Sequence, residues 1–485
     1  MTSGRRRGMA RLALGAGFAA GLVLSAAPAL ADDLRGALAM AYATNPTLQS
    51  ARAQQRAVDE GVPIARSSGL PSLSGTATFT EFLHDSSSSA LAPDRNLALS
   101  VDAGMPIYAG GAIRNSVRAA RTRVEAGQAD LRGVESLVFT QTVAAYMDVI
   151  LGEATVRLNR ANVGRLEVNL QATKDRFEIG DLTRTDVAQS QSRLALAQGQ
   201  TRSAEAGLIA ARERYIQVVG KAPGTLEPPP PLPGLPASAE EAVAVALDSN
   251  PDLLAARERA KAAGYDVNVA SAGRLPKVSV FAGADYGDFL GSNKIPGADQ
   301  SSTSAVAGVR ATIPLFQGGL PAAQRRQAQA RENVALEQEI GAERQVIAAV
   351  RAAYAQWQAA GSLITSSQSA VDAASLSLEG VRAENTVGNR TILDILNAEN
   401  ELLNAQVQLV TARRNAYVAG FNLLAAMGKA ESRDLGLDGG ALYDPEVNYR
   451  RAEGAIWDWS SDPAPTAKAT RTVDSKAQDG SVTGE

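Results

Sequence analysis

The sequence predicts an α+β membrane protein written twice. Three observations carry that reading: a two-fold internal repeat, period-two strands long enough to cross a bilayer, and helices too long for a compact domain. "NPTLQSARAQQRA" from Asn45 is echoed by "NPDLLAARERAKA" from Asn250, and Leu70-Pro71 by Leu275-Pro276, at an offset of 205. Further on the offset is 208: "MPIYAGG" from Met105 answers "IPLFQGG" from Ile313, "AAYMDV" from Ala144 answers "AAYAQW" from Ala352, and Gly220-Lys221 answers Gly428-Lys429.

Residues 1–31 read as a secretory signal, with Arg5, Arg6, Arg7 and Arg11 before an apolar stretch and "APALA" before Asp32. Its removal takes four positive charges from a chain of net charge −3, leaving about −7, which argues against nucleic acid as a partner. There is no cysteine, so disulfides, thiolate metal sites, thiol nucleophiles and a lipidated N-terminal cysteine are excluded. The single histidine, His84, lies in the Ser-rich run "LHDSSSSALAPD", and no acid and base are paired at a defined spacing. No enzyme, cofactor or metal site is expected. After the signal no stretch approaches the ~18 uncharged apolar residues of a membrane-spanning helix, so a seat in a membrane has to be built from strands.

The first repeat, 32–219, reads as a short helix over about 33–67, a β-hairpin at 72–108, a long helix at 112–179 and a shorter helix at 183–219. The Pro-rich segment 220–238 is a stiff linker. The second repeat, 239–430, has a short helix over 239–272, a hairpin at 277–316, a long helix at 320–387 and a shorter one at 391–427. Each Asn-Pro marks a kink or entry. An equatorial segment and a tail that turns polar after about Tyr449 fill 431–485, and the tail is expected to be disordered.

The strands alternate, with Leu97, Leu99, Val101, Ala103, Met105 and Ile107 in one copy and Ala305, Ala307, Val309, Ala311, Ile313 and Leu315 in the other. Ser, Thr, Gly, Asp102 and Arg310 fall between, so odd-numbered residues are expected to face lipid. Their loops, 83–96 and 287–303, are 14 and 17 residues long, and that difference accounts for the change of offset. The long helices contain no proline after Pro321, and 68 residues reach about 100 Å. Val149, Val156, Val163, Leu166 and Leu170 in one, and Leu336, Ile340, Ile347, Val350, Tyr354 and Trp357 in the other, are spaced as coiled-coil seams. Each long helix ends in Gly-x-x-Thr-x-x-Asp. Gly180 and Gly388 suit a left-handed helix end, and Thr183 with Asp186, and Thr391 with Asp394, suit capping boxes that start the return helix.

This doubled plan resembles the TolC family of outer membrane channel proteins over about residues 33–430. The carriers are the two Asn-Pro and two Leu-Pro pairs, "PIYAGG" and "PLFQGG", Tyr146 in "AAYMDV", and the two Gly-x-x-Thr-x-x-Asp turns. The resemblance implies a homotrimer in which four strands per chain form one 12-stranded outer-membrane β-barrel, continued by a long periplasmic α-helical coiled-coil barrel. The need for partners also has a physical basis, because four strands cannot close a barrel and an open edge in lipid is prohibitively costly.

By the same resemblance the turns at Gly180, Thr183, Gly388 and Thr391 dock a periplasmic adaptor (membrane fusion) protein. An inner-membrane transporter of ABC or RND type feeds in drugs or secreted proteins. In such channels links between hairpins hold the resting entrance shut; Thr185 and Asp186 match one side and Arg390 the other, while Asn385 stands where the archetype has a tyrosine. Asp394 matches one ring of constriction aspartates and Asn397 replaces the second. The alternative is a periplasmic coiled-coil scaffold or adaptor whose hairpins pack on a sheet.

Overall fold

Each repeat opens on a helix broken at its Asn-Pro. The computed structural model describes residues 33–83, 93–293, 295–437 and 442–482, so the expected signal segment and His84 lie outside it. The first repeat holds α1 (Leu34–Thr44), α2 (Pro46–Asp59), α3 (Gly61–Ser67), β1 (Ser72–Glu81), β2 (Arg95–Ala109), α4 (Ala112–Glu178) and α5 (Arg184–Val219). The second holds α6 (Ala239–Ser249), α7 (Pro251–Ser271), a single tighter turn, β3 (Lys277–Asp288), β4 (Ser301–Thr312), α8 (Leu320–Thr386) and α9 (Ile392–Ala426); α10 (Pro445–Glu453) follows.

The kink or entry expected at each Asn-Pro within 33–67 and 239–272 is a full break between two helices, and the asparagines explain it. Asn45 Oδ1 accepts from Thr47 N at 2.9 Å and caps α2, whose first residue, Pro46, has no N–H to satisfy. Its Nδ2 donates at 2.9 Å to the carbonyl of Val218, at the far end of α5. Asn250 does the same between Asp252 N (3.0 Å) and the Ala426 carbonyl (2.9 Å) at the end of α9. One buried amide thus serves two helix ends, so that α2 follows α5 along α4, and α7 follows α9.

The four strands form one antiparallel sheet in the order β1-β2-β3-β4. Its register sets apolar against apolar: Leu99 lies between Ala77 and Tyr286, Val101 between Gly75 and Ala284, and Val309 opposite Val280. Asp102 faces Gly283, Asp285 lies between Ser100 and Ser304, and Ser279 faces Arg310 on the other parity. The expected alternation runs through Met105. A register shift at Ile107 then pairs Tyr108 with Val278, and β4 stops at Thr312, leaving Ile313 and Leu315 beyond the strand.

Each strand continues into one helical stave. Beneath β1 lies the line of α2, α3 and α5; beneath β2 lies α4; beneath β3 lies the line of α7 and α9; beneath β4 lies α8. The staves pack in the same order, α4 against α5 and α2 on one side and α7 and α9 on the other, with α8 against α7 and α9. The largest core sits at mid-height, where Phe139, Tyr146, Tyr215 and Phe421 are buried. This is also why part of α4 is apolar enough to cross a membrane by composition: half of that window is buried against the chain itself. The linker is fastened to the same level by three tyrosine hydroxyls, Tyr146 donating to Glu227 O (2.6 Å), Tyr417 to Pro230 O (3.1 Å) and Tyr354 to Ala237 O (3.0 Å).

The tail, expected to be disordered, makes a few contacts with the helices. It has no regular structure after α10, yet it lies against α5 and α4: Gln478 N donates to Glu213 and Arg212 Nη1 to Asp479 O at 2.9 Å from α5, and Arg160 Nη2 of α4 to Gly480 O at 3.0 Å. Arg212 is a buried cation already paired with Glu153 at 2.9 Å, and the tail's carbonyl takes one of its remaining donors. A polar composition argues only that a segment has little core of its own.

Candidate gate and docking turns

Both hairpins turn by the same chemistry. Gly180 and Gly388 have φ of +83° and +85°, a region that a side chain disfavours. The chain reverses there with Asp181 N donating to Arg176 O at 2.8 Å and Asn389 N to Glu384 O at 3.0 Å. Thr183 Oγ1 accepts from Asp186 N, and the Asp186 carboxylate accepts from Thr183 N at 2.9 Å and Oγ1 at 2.7 Å. Thr391 and Asp394 repeat this at 2.9 and 2.8 Å. The capping boxes read from sequence are both present.

Those hydrogen bonds stabilise the ionised carboxylates. The Thr183 hydroxyl, then its amide, holds Asp186 below the usual carboxylate range, and the Thr391 amide, then its hydroxyl, does so for Asp394. The tips also present apolar surface: Ile179 is 81% and Val387 71% exposed.

The residues expected to link the hairpins are placed differently within one chain. Arg390 Nε pairs with Glu384 at 2.7 Å inside its own turn, and Asn385 Nδ2 donates to the Arg390 carbonyl at 2.7 Å. Among the described residues no ion pair joins Arg390 to Asp186, and Thr185 is exposed beside it. Asn397, expected at a second constriction, accepts from Arg193 Nη2 of α5 at 2.9 Å.

The hairpins are joined again at Glu399, which sequence reasoning missed. Its side chain is 1% exposed; its oxygens accept from Asn169 Nδ2 of α4 (2.9 Å to each) and from Arg382 Nη2 of α8 (2.7 Å). Leu166, Ala197 and Leu396 pack beside it. One signal was available: at the repeat offset Glu399 corresponds to Gln191, so a charge enters one copy only.

The profile of the Outer membrane efflux protein family matches residues 37–221 and 242–429, which are the two repeats. The chain is 35% identical over 436 residues to the outer membrane efflux protein BepC of Brucella suis biovar 1 (strain 1330), covering 89% of this chain and 92% of that one. It is 28% identical over 450 residues to the outer membrane protein TolC of Escherichia coli (strain K12), covering 88% of each. The solved structure of the outer membrane protein VceC from Vibrio cholerae superposes with a TM-score of 0.71 at 23% identity, over 81% of this chain and 96% of that one. These relatives are outer membrane proteins, which favours a channel over the periplasmic scaffold.

Proposed function

The chain belongs to the Outer membrane efflux protein family, and from that premise we propose how a single chain with two open edges becomes a conduit. It is an outer membrane export channel that extends into the periplasm. One observation carries the assembly: β4 and α8 lie at one edge of the chain, and β1 with the α2 and α5 line at the other, so sheet and helices are unfinished along the same two seams. Three copies joined edge to edge give twelve strands and a closed helical wall, with every strand paired in lipid. Planar-bilayer recording tests this: reconstituted trimers should pass ions, and properly assembled trimers that do not conduct contradict it.

At the periplasmic end the two turns receive an adaptor protein, and an inner-membrane transporter of ABC or RND type delivers drugs or secreted proteins. Ile179 and Val387 support this, being large apolar side chains held in water at the hairpin tips beside rigid caps. Gly180→Pro with Gly388→Pro should abolish export; intact export at unchanged trimer levels would place docking elsewhere.

For the gate, Thr185 and Asp186 of one hairpin and Arg390 of another form the closing link between chains, Arg390 leaving Glu384 to do so. Asp394 supplies the acidic constriction, with Asn397 held back by Arg193. Arg390→Ser should raise single-channel conductance, and Asp394→Ala should weaken cation preference and block by trivalent cations. If neither changes in assembled trimers, the turns are caps and nothing more.

A further inference from the structure

The C-terminal segment makes one detour before it descends along α5. α10 climbs beside α2 and α3 towards the sheet: Tyr443 N donates to the Tyr42 hydroxyl at 2.9 Å, Asn448 Nδ2 to Asp59 at 2.7 Å, and Arg66 Nη1 to Glu453 O at 3.0 Å. Glu453 also pairs with Arg121 at 2.6 Å. Arg121 lies nine residues after Ala112, where α4 leaves the sheet, so α10 ends about 14 Å below the strand feet.

Residues 454–461 then project as a loop. Its tip is a turn closed by Ser460 N on Trp457 O at 3.0 Å, and the pair of Asp462 with Arg451 returns the chain to the side of α10. The shorter arm, from Ser460 back to Asp462, limits the excursion to about 7 to 10 Å, which ends about 4 to 7 Å short of the strand feet. Only afterwards does the chain head the other way, to Thr470 beside Gly220 and Asp479 at Arg212. On this loop Ile456, Trp457 and Trp459 are 70%, 72% and 86% exposed, so nothing among the described residues covers them.

Continued in the direction in which α10 runs, from Tyr42 past Asp59 to Arg66, that excursion ends just below the lower rim of the lipid-facing band. Tyr108 and Phe316, at corresponding places in the two repeats, are exposed at the strand feet. Outside them a bilayer has a headgroup layer about 5–8 Å deep. An indole, apolar in body with one N–H to satisfy, has its preferred place in that layer.

We propose that loop 454–461 is an interfacial anchor whose Trp457 and Trp459 insert into the phospholipid headgroup layer of the periplasmic leaflet, with Asp458 between them on the water side. The proposal rests on the channel reading, since only a sheet seated in the outer membrane brings lipid to this height. The anchor would fix the depth of the barrel by gripping the bilayer from outside the barrel wall.

The chain has three tryptophans, so Trp357→Phe leaves the loop pair as the only indoles. The full-length variant is reconstituted into phosphatidylethanolamine and phosphatidylglycerol vesicles doped with phosphatidylcholine brominated either high or low on the acyl chains. Conductance is recorded in parallel. Shallow bromines should quench the loop emission about twofold, deep bromines less, and emission should be blue-shifted relative to detergent-free tail peptide. Should Trp357→Phe fold poorly, the difference between the native chain and Trp457→Phe/Trp459→Phe gives the same signal. In conducting channels, absence of bromine quenching overturns the anchor: acrylamide then separates indoles left in water from indoles covered by a neighbouring chain. If the protein neither conducts nor is quenched, the channel reading falls with it.

Discussion

Helices α4 and α8 are the same length, leave the sheet at the same point and end in the same turn, yet 23 residues of α4 are buried against five of α8. The difference lies in position. α4 is the second of four staves and has neighbours on both flanks; α8 is the fourth and has them on one. Sequence follows position: where α4 buries Ala119, Val124 and Leu131, the repeat offset gives α8 Gln327, Glu332 and Glu339. Of the seam read on α8, Val350 is buried, but Leu336 and Ile340 remain 45% exposed. A seam left half open in one chain is a surface reserved for another.

The comparison can be broken most forcefully at its buried end. Val149→Asp places an uncompensated charge in the α4 core and should cost about 3 to 5 kcal/mol, read as a collapse of the urea midpoint and of protease resistance. Leu336→Glu with Ile340→Glu should leave chain helicity by circular dichroism intact and lose the trimer; loss of helicity instead would mean that α8 is stabilised within its own chain. Val309→Lys near the membrane midplane should cost about 2 to 4 kcal/mol and lower trimer yield, and a normal yield would reverse the lipid-facing parity.

Smaller effects ask whether the repeats are equivalent where their chemistry is the same. Asn45→Ala and Asn250→Ala each remove a cap and a donor to a helix-end carbonyl, worth about 1 to 2 kcal/mol apiece, measured by denaturant midpoint. Thr183→Ala and Thr391→Ala should each cost about 1 kcal/mol locally. Because Asp186 and Asp394 titrate below their unfolded range, their contribution is complete at neutral pH. It is lost as pH falls below about 4 and through the lowered native value. Amide protection factors in both turns should therefore be flat near neutrality and fall together in acid.

Local chemistry with a fixed period was legible in the sequence. Alternation located the strands, and Gly-x-x-Thr-x-x-Asp gave the turns down to their hydrogen bonds, because propensity, capping and register all act over a few residues. Contacts between distant segments were not legible. Asn-Pro reads as a kink until the carbonyls of Val218 and Ala426 are seen beside it, and the tail reads as disordered until Arg212 is found waiting for a carbonyl. Glu399 carries no pattern of its own; its burial follows from Asn169 and Arg382 arriving from two other helices. Arg390 shows the opposite limit, since its partner within the chain is Glu384 in the same turn, six residues away, where the resemblance had pointed across hairpins.

The central claim is that each chain is four staves under four strands with two complementary open edges, closed by two further copies. Native mass spectrometry of the full-length protein released from mild detergent tests it most directly. Three chains per particle is the predicted result; a stable monomer, or particles of two or four chains, would contradict it.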